Sequence, residues 1–205
     1  MSPPPDDYRP MHAISAVPAP DVFSSEDAQW LRHAAAGDAR AASALFRAHG
    51  ARVRRTAARV LGAWDAEVDD VVQQTFLAAL DGADGFDGRA QVSTWLVGIA
   101  TRRALDAARS RARRNRLREV GEWLGLRPPA PPPDAAHDGR DMATRALEAL
   151  TPEQRVVFVL ASVEGYTLQE ISDMTGTGVS TLHARLAAAR KRLDALLASE
   201  QENGR

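Results

Sequence analysis

Cysteine is absent from the 205 residues, which removes disulfide frameworks and thiolate metal sites and leads us to expect a cytoplasmic protein. Aromatic residues make up only 5% of the chain. Lysine is scarcer still, one Lys191 against 25 arginines, a bias that GC-rich coding would also produce, so arginine identity at any one position carries little information. No apolar run approaches bilayer length: the longest, "VVFVLASV" at 156–163, is far short of the ~20 residues that a transmembrane helix requires. The opening "MSPPPDDYRP" places prolines and aspartates where a signal peptide needs a basic start and an apolar stretch.

An excess of charge of one sign is also lacking. The formal net charge is -1, which argues against a chain that is basic all over, yet the charge is unevenly spread. Residues 102–118 hold eight arginines against one aspartate, whereas residues 65–87 hold seven acids and no base. A dipolar chain of this kind suits two different partners. Proline is confined as well, with Pro3, Pro4, Pro5, Pro10, Pro18 and Pro20 near the start, five more in "LRPPAPPPDAAHDGR" at 126–140, and Pro152. The first stretch has few apolar residues to bury and reads as a disordered tail. The second reads as a semi-rigid extended spacer. The chain therefore divides into a tail at 1–24, a domain at 25–120, a linker at 121–140 and a second domain at 141–199.

Both domains read as all-helical. Trp30, Leu31 and Ala34 belong to a short helix that starts after Ser24 or Ser25 and is ended by Gly37, with Asp38 capping the next. Leu45, Phe46, His49, Val53, Ala57, Val60, Leu61 and Trp64 then recur at helical spacing as one apolar stripe. A third helix after Asp65 carries Val68, Val71, Val72, Thr75, Phe76, Ala79 and Leu80 on one side, and "DGADGFDG" at 81–88 reads as a loop. A long helix starts near Ser93 and runs through the arginine-rich segment. In the second domain "TPEQ" at 151–154 supplies Thr151 as a cap, Pro152 at the first helical position and Gln154 to reach back. That start signal decides that "VVFVLASV" is helix and not a buried strand.

The segment "GYTLQEISDMTGTGVSTLHARL" at 165–186 has the form of two short helices about a glycine turn. Close crossing of such helices requires a small residue in the first and a glycine four positions on, and Ser172 and Gly176 have that spacing. After the turn Val179, Leu182, Leu186, Ala189, Leu193 and Leu196 repeat on one side. Ser180, Thr181, His183, Ala184, Arg185 and Ala187 are left outward, the small, polar and basic side chains that a helix entering the major groove needs to reach base edges. Arg190, Lys191 and Arg192 follow, placed for phosphates. A helical hairpin inside a small bundle satisfies the same spacing, so this segment alone leaves both readings open. His183 has no ligand partner at a metal-site spacing.

"STWLVGIATRRALDAARSRARRNRLR" at 93–118 begins apolar and ends strongly basic. Arg102, Arg109, Arg113 and Arg116 fall on one helical stripe with Arg103 and Arg114 beside it, and each phosphate so neutralised would add roughly 0.9 to the salt slope of duplex binding. Trp95 and Phe86 are candidates for stacking on unpaired bases, against the alternative of a core tryptophan beneath a solvated charged face. In "DAEVDDVVQQTFLAAL" at 65–80, Asp69, Asp70, Gln73, Gln74 and Leu77 cannot share a core with Val68, Val72 and Phe76. That helix presents acids, amides and a leucine to a basic or mixed protein partner, and repels DNA. No histidine or further acid completes a carboxylate metal site there.

An acidic helix, a tryptophan-led arginine helix, a linker and a terminal helix-turn-helix together resemble the sigma-70 family of bacterial transcription initiation factors, in its small two-domain extracytoplasmic-function (group IV) branch. The resemblance covers about 27–118 and 141–197. "AEVDDVVQQTFLAAL" is similar to the family's core-polymerase-binding segment, and "STWLVGIATRRALDAARSRARR" to its segment for minus 10 recognition and melting. "LTPEQRVVFVLASVEGYTLQEISDMTGTGVSTLHARLAAARKRL" is similar to its minus 35 reading domain.

The resemblance implies an all-α fold of two helical domains, region 2-like and region 4-like, with no catalytic residue, cofactor or metal. Glu67, Asp69, Asp70, Gln73, Gln74, Phe76 and Leu77 would dock on the clamp coiled coil of the largest polymerase subunit, while the second domain meets the flap of the second-largest. The loop from Phe86 through Arg89 to Gln91 would capture a flipped minus 10 base, with Trp95, Arg102, Arg103 and Asp106 beside it and Arg109 and Arg113 further along. Ser180, Thr181, His183, Ala184 and Arg185, with Arg190 and Lys191, would read the minus 35 duplex. The implied partners are core RNA polymerase, promoter DNA and an anti-sigma factor, with no membrane insertion.

Two positions depart from the family's pattern. Arg102 stands where the family commonly has asparagine in an "RN" pair before the aspartate, which implies an altered minus 10 preference. "STLHARL" stands where the family often has "GTVKSRL", so His183 replaces a lysine and weakens one phosphate or base contact. Two other designs share some of these features. An operator-binding regulator with a ligand-sensing amino-terminal domain predicts a pocket and a dimer, and leaves the arginine helix surplus. A nuclease or recombinase with a DNA-binding tail predicts clustered acids or a nucleophile, which Asp106 alone does not supply.

Overall fold

The computed structural model describes residues 25–62, 66–124 and 142–203. The expected tail at 1–24, the greater part of the linker read at 121–140, Trp64 and Asp65 lie outside these residues. Among the described residues all regular elements are helical.

Helices α1 (Ser25–Ala35) and α2 (Ala39–Leu61) form a hairpin at Gly37, whose φ of 96° suits glycine alone among common residues. The Asp38 carboxylate accepts the backbone N–H groups of Arg40 and Ala41, the cap read from the sequence. Leu45, His49, Val53, Ala57, Val60 and Leu61 are buried along α2, but Phe46 is 52% exposed. Adjacent helical positions point about 100° apart, so a face centred on Leu45, His49 and Val53 turns Phe46 off the core. Its ring instead packs on Phe76 of α3 (Val68–Asp81), centroids 5.0 Å apart. Val68, Val71, Val72, Thr75 and Ala79 are buried on α3, with Phe76 and Leu80 half-buried at the edge of the face.

A single 3₁₀ turn, Ala83–Gly85, interrupts the glycine and aspartate loop before α4 (Val92–Trp123). This helix runs past Arg118 to Trp123, into the stretch read as linker, with Gly125 and then Pro128 next in the sequence. In the second domain a short α5 (Met142–Glu148), not anticipated, precedes α6 (Pro152–Phe158). The Thr151 capping box is present in both directions: Gln154 N donates to Thr151 Oγ1 at 3.3 Å, and Thr151 N donates to Gln154 Oε1 at 3.1 Å. The helix continues as a π-helical turn, Val159–Val163, so "VVFVLASV" is helical throughout. Helix α7 (Leu168–Thr175) starts with a second capping box, Thr167 with Glu170, and stops at Gly176 (φ 68°), whose N–H donates to Ser172 O at 2.8 Å. Helix α8 (Val179–Asn203) completes the hairpin.

Two apolar clusters hold the fold. One belongs to the first domain and contains Leu31, Leu45, Val53, Val72, Leu96 and Ile99. The other is shared: Ala57, Val60, Val97, Ala104 and Leu105 of the first domain pack with Val156, Val157, Leu160, Ile171 and Leu182 of the second. The two domains are closed on one another in this structure.

Candidate nucleic-acid and partner interfaces

On α3 the sequence pattern sends Asp69, Asp70, Gln73, Gln74 and Leu77 outward; four of these are exposed, but Gln74 is half-buried, as are Glu67 and Phe76. A groove of about 360 Å³ runs between α2 and α3, lined by Phe46, Asp69, Val72, Gln73, Phe76, Leu77 and Leu80. Leu77 is 46% exposed beside the equally exposed Phe46. The acids are not all bare. Asp69 is ion-paired with Arg54 of α2, and Glu67 lies 3.1 Å from Arg114 of α4. Phe46 and Arg54 therefore join this face from α2. A phenylalanine falling one position off an apolar stripe was the available signal for the first.

The loop expected to capture a minus 10 base is held locally. Arg89 donates its backbone N–H to Asp87 Oδ1 at 3.0 Å, and the hydrogen bond from its side chain holds the Asp87 carboxyl below its usual pKa. Phe86 leans on Trp95, ring centroids 5.3 Å apart at 54°, and both are half-buried against the first-domain core. Trp95 therefore packs on the core in part, as one of its two readings had it, with Phe86 against its ring. Arg89, Gln91, Thr94, Trp95, Gly98 and Arg102 line a cleft of about 770 Å³ that is also bounded by Glu170, Asp173 and Met174 of α7.

The arginines of α4 do not form one free stripe. Arg102 donates to the Met174 carbonyl of α7, and Arg109 donates to Glu153 of α6 at 2.8 Å while lying 3.8 Å from Asp106. Burial alone would raise the pKa of Glu153, but the hydrogen bond and charge of Arg109, with the charge of Arg185, bring it below its usual value. Arg111 reaches the Leu61 carbonyl at 3.4 Å, and Arg114 turns to Glu67. Arg113 is exposed and donates to Ser110 Oγ at 3.2 Å; Arg103 is half-buried and Asp106 exposed. In the closed chain much of this helix is spent on protein contacts.

On α8 the outward set is as the spacing predicts. Ser180, Thr181, His183 and Ala184 are exposed and Arg185 half-buried, over buried Leu182, Leu186 and Ala189, and Arg190 and Lys191 are exposed further along. Val179, placed on the inward stripe, is instead 39% exposed, since it opens the helix before α7 can cover it.

Sequence reasoning missed the residues between the domains. Arg52 of α2 donates to the Tyr166 hydroxyl at 3.0 Å, and Arg59 pairs with Glu164. Arg155 is buried in α6, with its guanidinium on the Val60, Leu61, Glu148 and Leu150 carbonyls. A lone arginine inside "EQRVVFVL" was the only trace of it.

Known proteins share this arrangement. Residues 45–114 match the family model for Sigma-70 region 2, and residues 140–193 that for Sigma-70, region 4. The chain is 33% identical over 195 residues to the ECF RNA polymerase sigma factor SigM of Mycobacterium tuberculosis, across 95% of this chain and 94% of that one. It is 32% identical over 183 residues to the RNA polymerase sigma factor NccH of Alcaligenes xylosoxydans xylosoxydans, across 86% and 97%. Among solved structures, CnrH in complex with the cytosolic domain of CnrY superposes with a TM-score of 0.56 at 27% identity, covering 85% of this chain and 98% of CnrH. No described helix is long and apolar enough to cross a membrane. These matches span both domains, which neither the operator-binding regulator nor the nuclease design accounts for. The chain belongs to the sigma-70 family, in its extracytoplasmic-function branch, and is an alternative sigma factor of transcription initiation.

Proposed function

We propose that this chain directs core RNA polymerase to promoters through three surfaces and carries out no chemistry of its own. The observation that carries the reading is the exposed pair Phe46 and Leu77 in a groove also lined by Asp69 and Gln73. Apolar side chains left in water between charges mark a protein-docking face. Glu67, Asp69, Asp70, Gln73, Gln74, Phe76 and Leu77 dock on the polymerase clamp. The Phe86–Gln91 loop with Trp95, Arg102, Arg103, Asp106, Arg109 and Arg113 takes the minus 10 strand. Ser180, Thr181, His183, Ala184, Arg185, Arg190 and Lys191 take the minus 35 duplex. Work at promoters places the chain in the cytoplasm. A partner that holds this factor as CnrY holds CnrH would be its anti-sigma factor.

The two DNA elements lie about 25 base pairs apart, roughly 85 Å of duplex at 3.4 Å per step. A compact body the size of the described residues 25–62, 66–124 and 142–203 has a radius of gyration of about 15 Å, hence a span near 40 Å. The closed form cannot touch both, so promoter binding requires the domains to separate about the linker. Two linked contacts then reach useful affinity without either being strong alone. The test is reconstituted transcription with core polymerase on a randomised promoter library. Co-purification with core and initiation from a defined set of sequences is expected. A chain that does neither is not acting as a sigma factor.

A further inference from the structure

The cleft over the start of α4 has a roof supplied by the other domain. Arg89, Gln91, Trp95 and Arg102 form its floor, and Glu170, Asp173 and Met174 of α7 cover it. Three features seat α7 there. Gly98 faces Met174 at contact distance: a Cβ on Gly98 would lie 3.4 Å from Met174 Cγ and 3.7 Å from Met174 Cβ, ordinary van der Waals separations. Arg102 donates to the Met174 carbonyl, one of the last-turn carbonyls of α7, where a cation also meets the negative end of the helix dipole. Just ahead of α7, Tyr166 and Glu164 are gripped by Arg52 and Arg59.

We propose that α7 is a resident competitor for the minus 10 cleft, and that Arg102 is the residue both occupants share. Its guanidinium serves the Met174 carbonyl in the closed chain and the promoter strand in the open one. The carboxylates of Glu170 and Asp173 border the same cleft as Arg89 and Arg102. They repel the phosphates of an entering strand, so strand and helix cannot share the space. The Glu170 carboxylate is further fixed by accepting the Thr167 N–H at 2.8 Å. The departure at position 102 from the family's asparagine thus has a protein partner as well as a nucleic-acid one. This inference rests on the assignment of the cleft to minus 10 recognition.

The absence of cysteine makes the test clean. In the double variant Gly98→Cys with Met174→Cys, the Cβ atoms stand at the 3.7 Å separation already present, inside the roughly 3.5–4.5 Å that a disulfide requires. Oxidised full-length protein is mixed with core polymerase and assayed for capture of a fork DNA carrying an unpaired minus 10 strand, and then for initiation. The locked form is expected to lose at least tenfold in fork capture and to regain it when the same sample is reduced. Failure of the disulfide to form, or equal capture by oxidised and reduced protein, overturns the inference. Failure of both the reduced variant and the unaltered chain to initiate would instead overturn the sigma reading. Should the cysteine pair disturb α4, Arg102→Asn in the otherwise unaltered chain provides a second measurement. Amide exchange in α7 rises several-fold with α1 unchanged; unchanged exchange in α7 removes Arg102 from the contact.

Discussion

Replacing Arg155 by methionine tests what holds the two domains together. Nη1 of Arg155 donates to the carbonyls of Val60 at 3.0 Å and Leu61 at 3.2 Å, and Nη2 to those of Glu148 and Leu150 at 3.3 Å each. The first two lie in the last turn of α2, where carbonyls lack in-helix partners by position. A side chain of the second domain therefore caps a helix of the first. Burial lowers the Arg155 pKa from its usual value, the charge of Glu148 opposes this, and that of Arg111 adds to it. Methionine keeps most of the stem and removes the donors. A hydrogen bond from a charged donor contributes about 1.5–3 kcal/mol, and relief of the buried charge returns part of the two interdomain bonds. The net loss is about 2–3 kcal/mol, or roughly 30- to 160-fold in the ratio of closed to open chain. Dyes on cysteines introduced at the exposed Ala48 and Ala198 report that ratio by energy transfer. A low-transfer population is expected to appear in R155M, with a lower urea midpoint. Affinity for core polymerase should rise by up to the same factor, because less of the chain has to be opened. Transfer distributions and midpoints indistinguishable from those of the parent would refute this reasoning.

Three further outcomes can be checked together. Leu77→Ala removes an exposed side chain from the α3 groove, so stability should change by less than about 0.5 kcal/mol, while core binding, read by co-purification and competition, weakens roughly tenfold as for an interface anchor. His49 is buried 3.1 Å from Asp27, and burial lowers its pKa despite that carboxylate. The unfolded chain then takes up the proton first as pH falls, so the contribution of neutral His49 is full above its ordinary 6.5 and is lost below it. Thermal melts across pH 5–8 should show this slope, and His49→Gln should flatten it. His183→Lys adds a cation to the outward face of α8. The salt slope of minus 35 duplex binding should steepen by about 0.9 if the new charge meets a phosphate, and stay unchanged if it does not.

Local signals were the legible part of this fold. Thr151 with Gln154, Asp38, and Gly176 each announce a helix end through chemistry confined to a few neighbouring residues, and each end is where those residues place it. Periodicity likewise located buried Leu182, Leu186 and Ala189 beneath the outward face of α8. What periodicity does not say is what a stripe is buried against. Val60 and Leu61 read as the core of one domain, yet they pack on Val156 and Leu160 of the other. Arg155 shows the same limit, because the carbonyls that explain it are 94 and 95 residues away. Phe46 failed for a different reason: at helical pitch it belongs to the neighbouring face, which only a second helix, α3, could convert into a groove.

The surfaces left open and covered by closure set an order of events. The α3 groove and the outward face of α8 remain exposed in the closed chain, whereas the cleft at Trp95 and Arg102 is roofed by α7. A partner that binds only the α3 groove has the same contacts in both forms and cannot shift the balance between them. On the proposed assignment, opening is driven by contacts that only separated domains can make, with core polymerase and with the two promoter elements together. The minus 10 cleft would then stay covered on the free chain and become available only where core polymerase holds the domains apart. A partner that bridged both domains in the closed form would act in the opposite sense, adding its binding energy to that of Arg155 and Arg102 and keeping the factor inactive without touching the recognition helix.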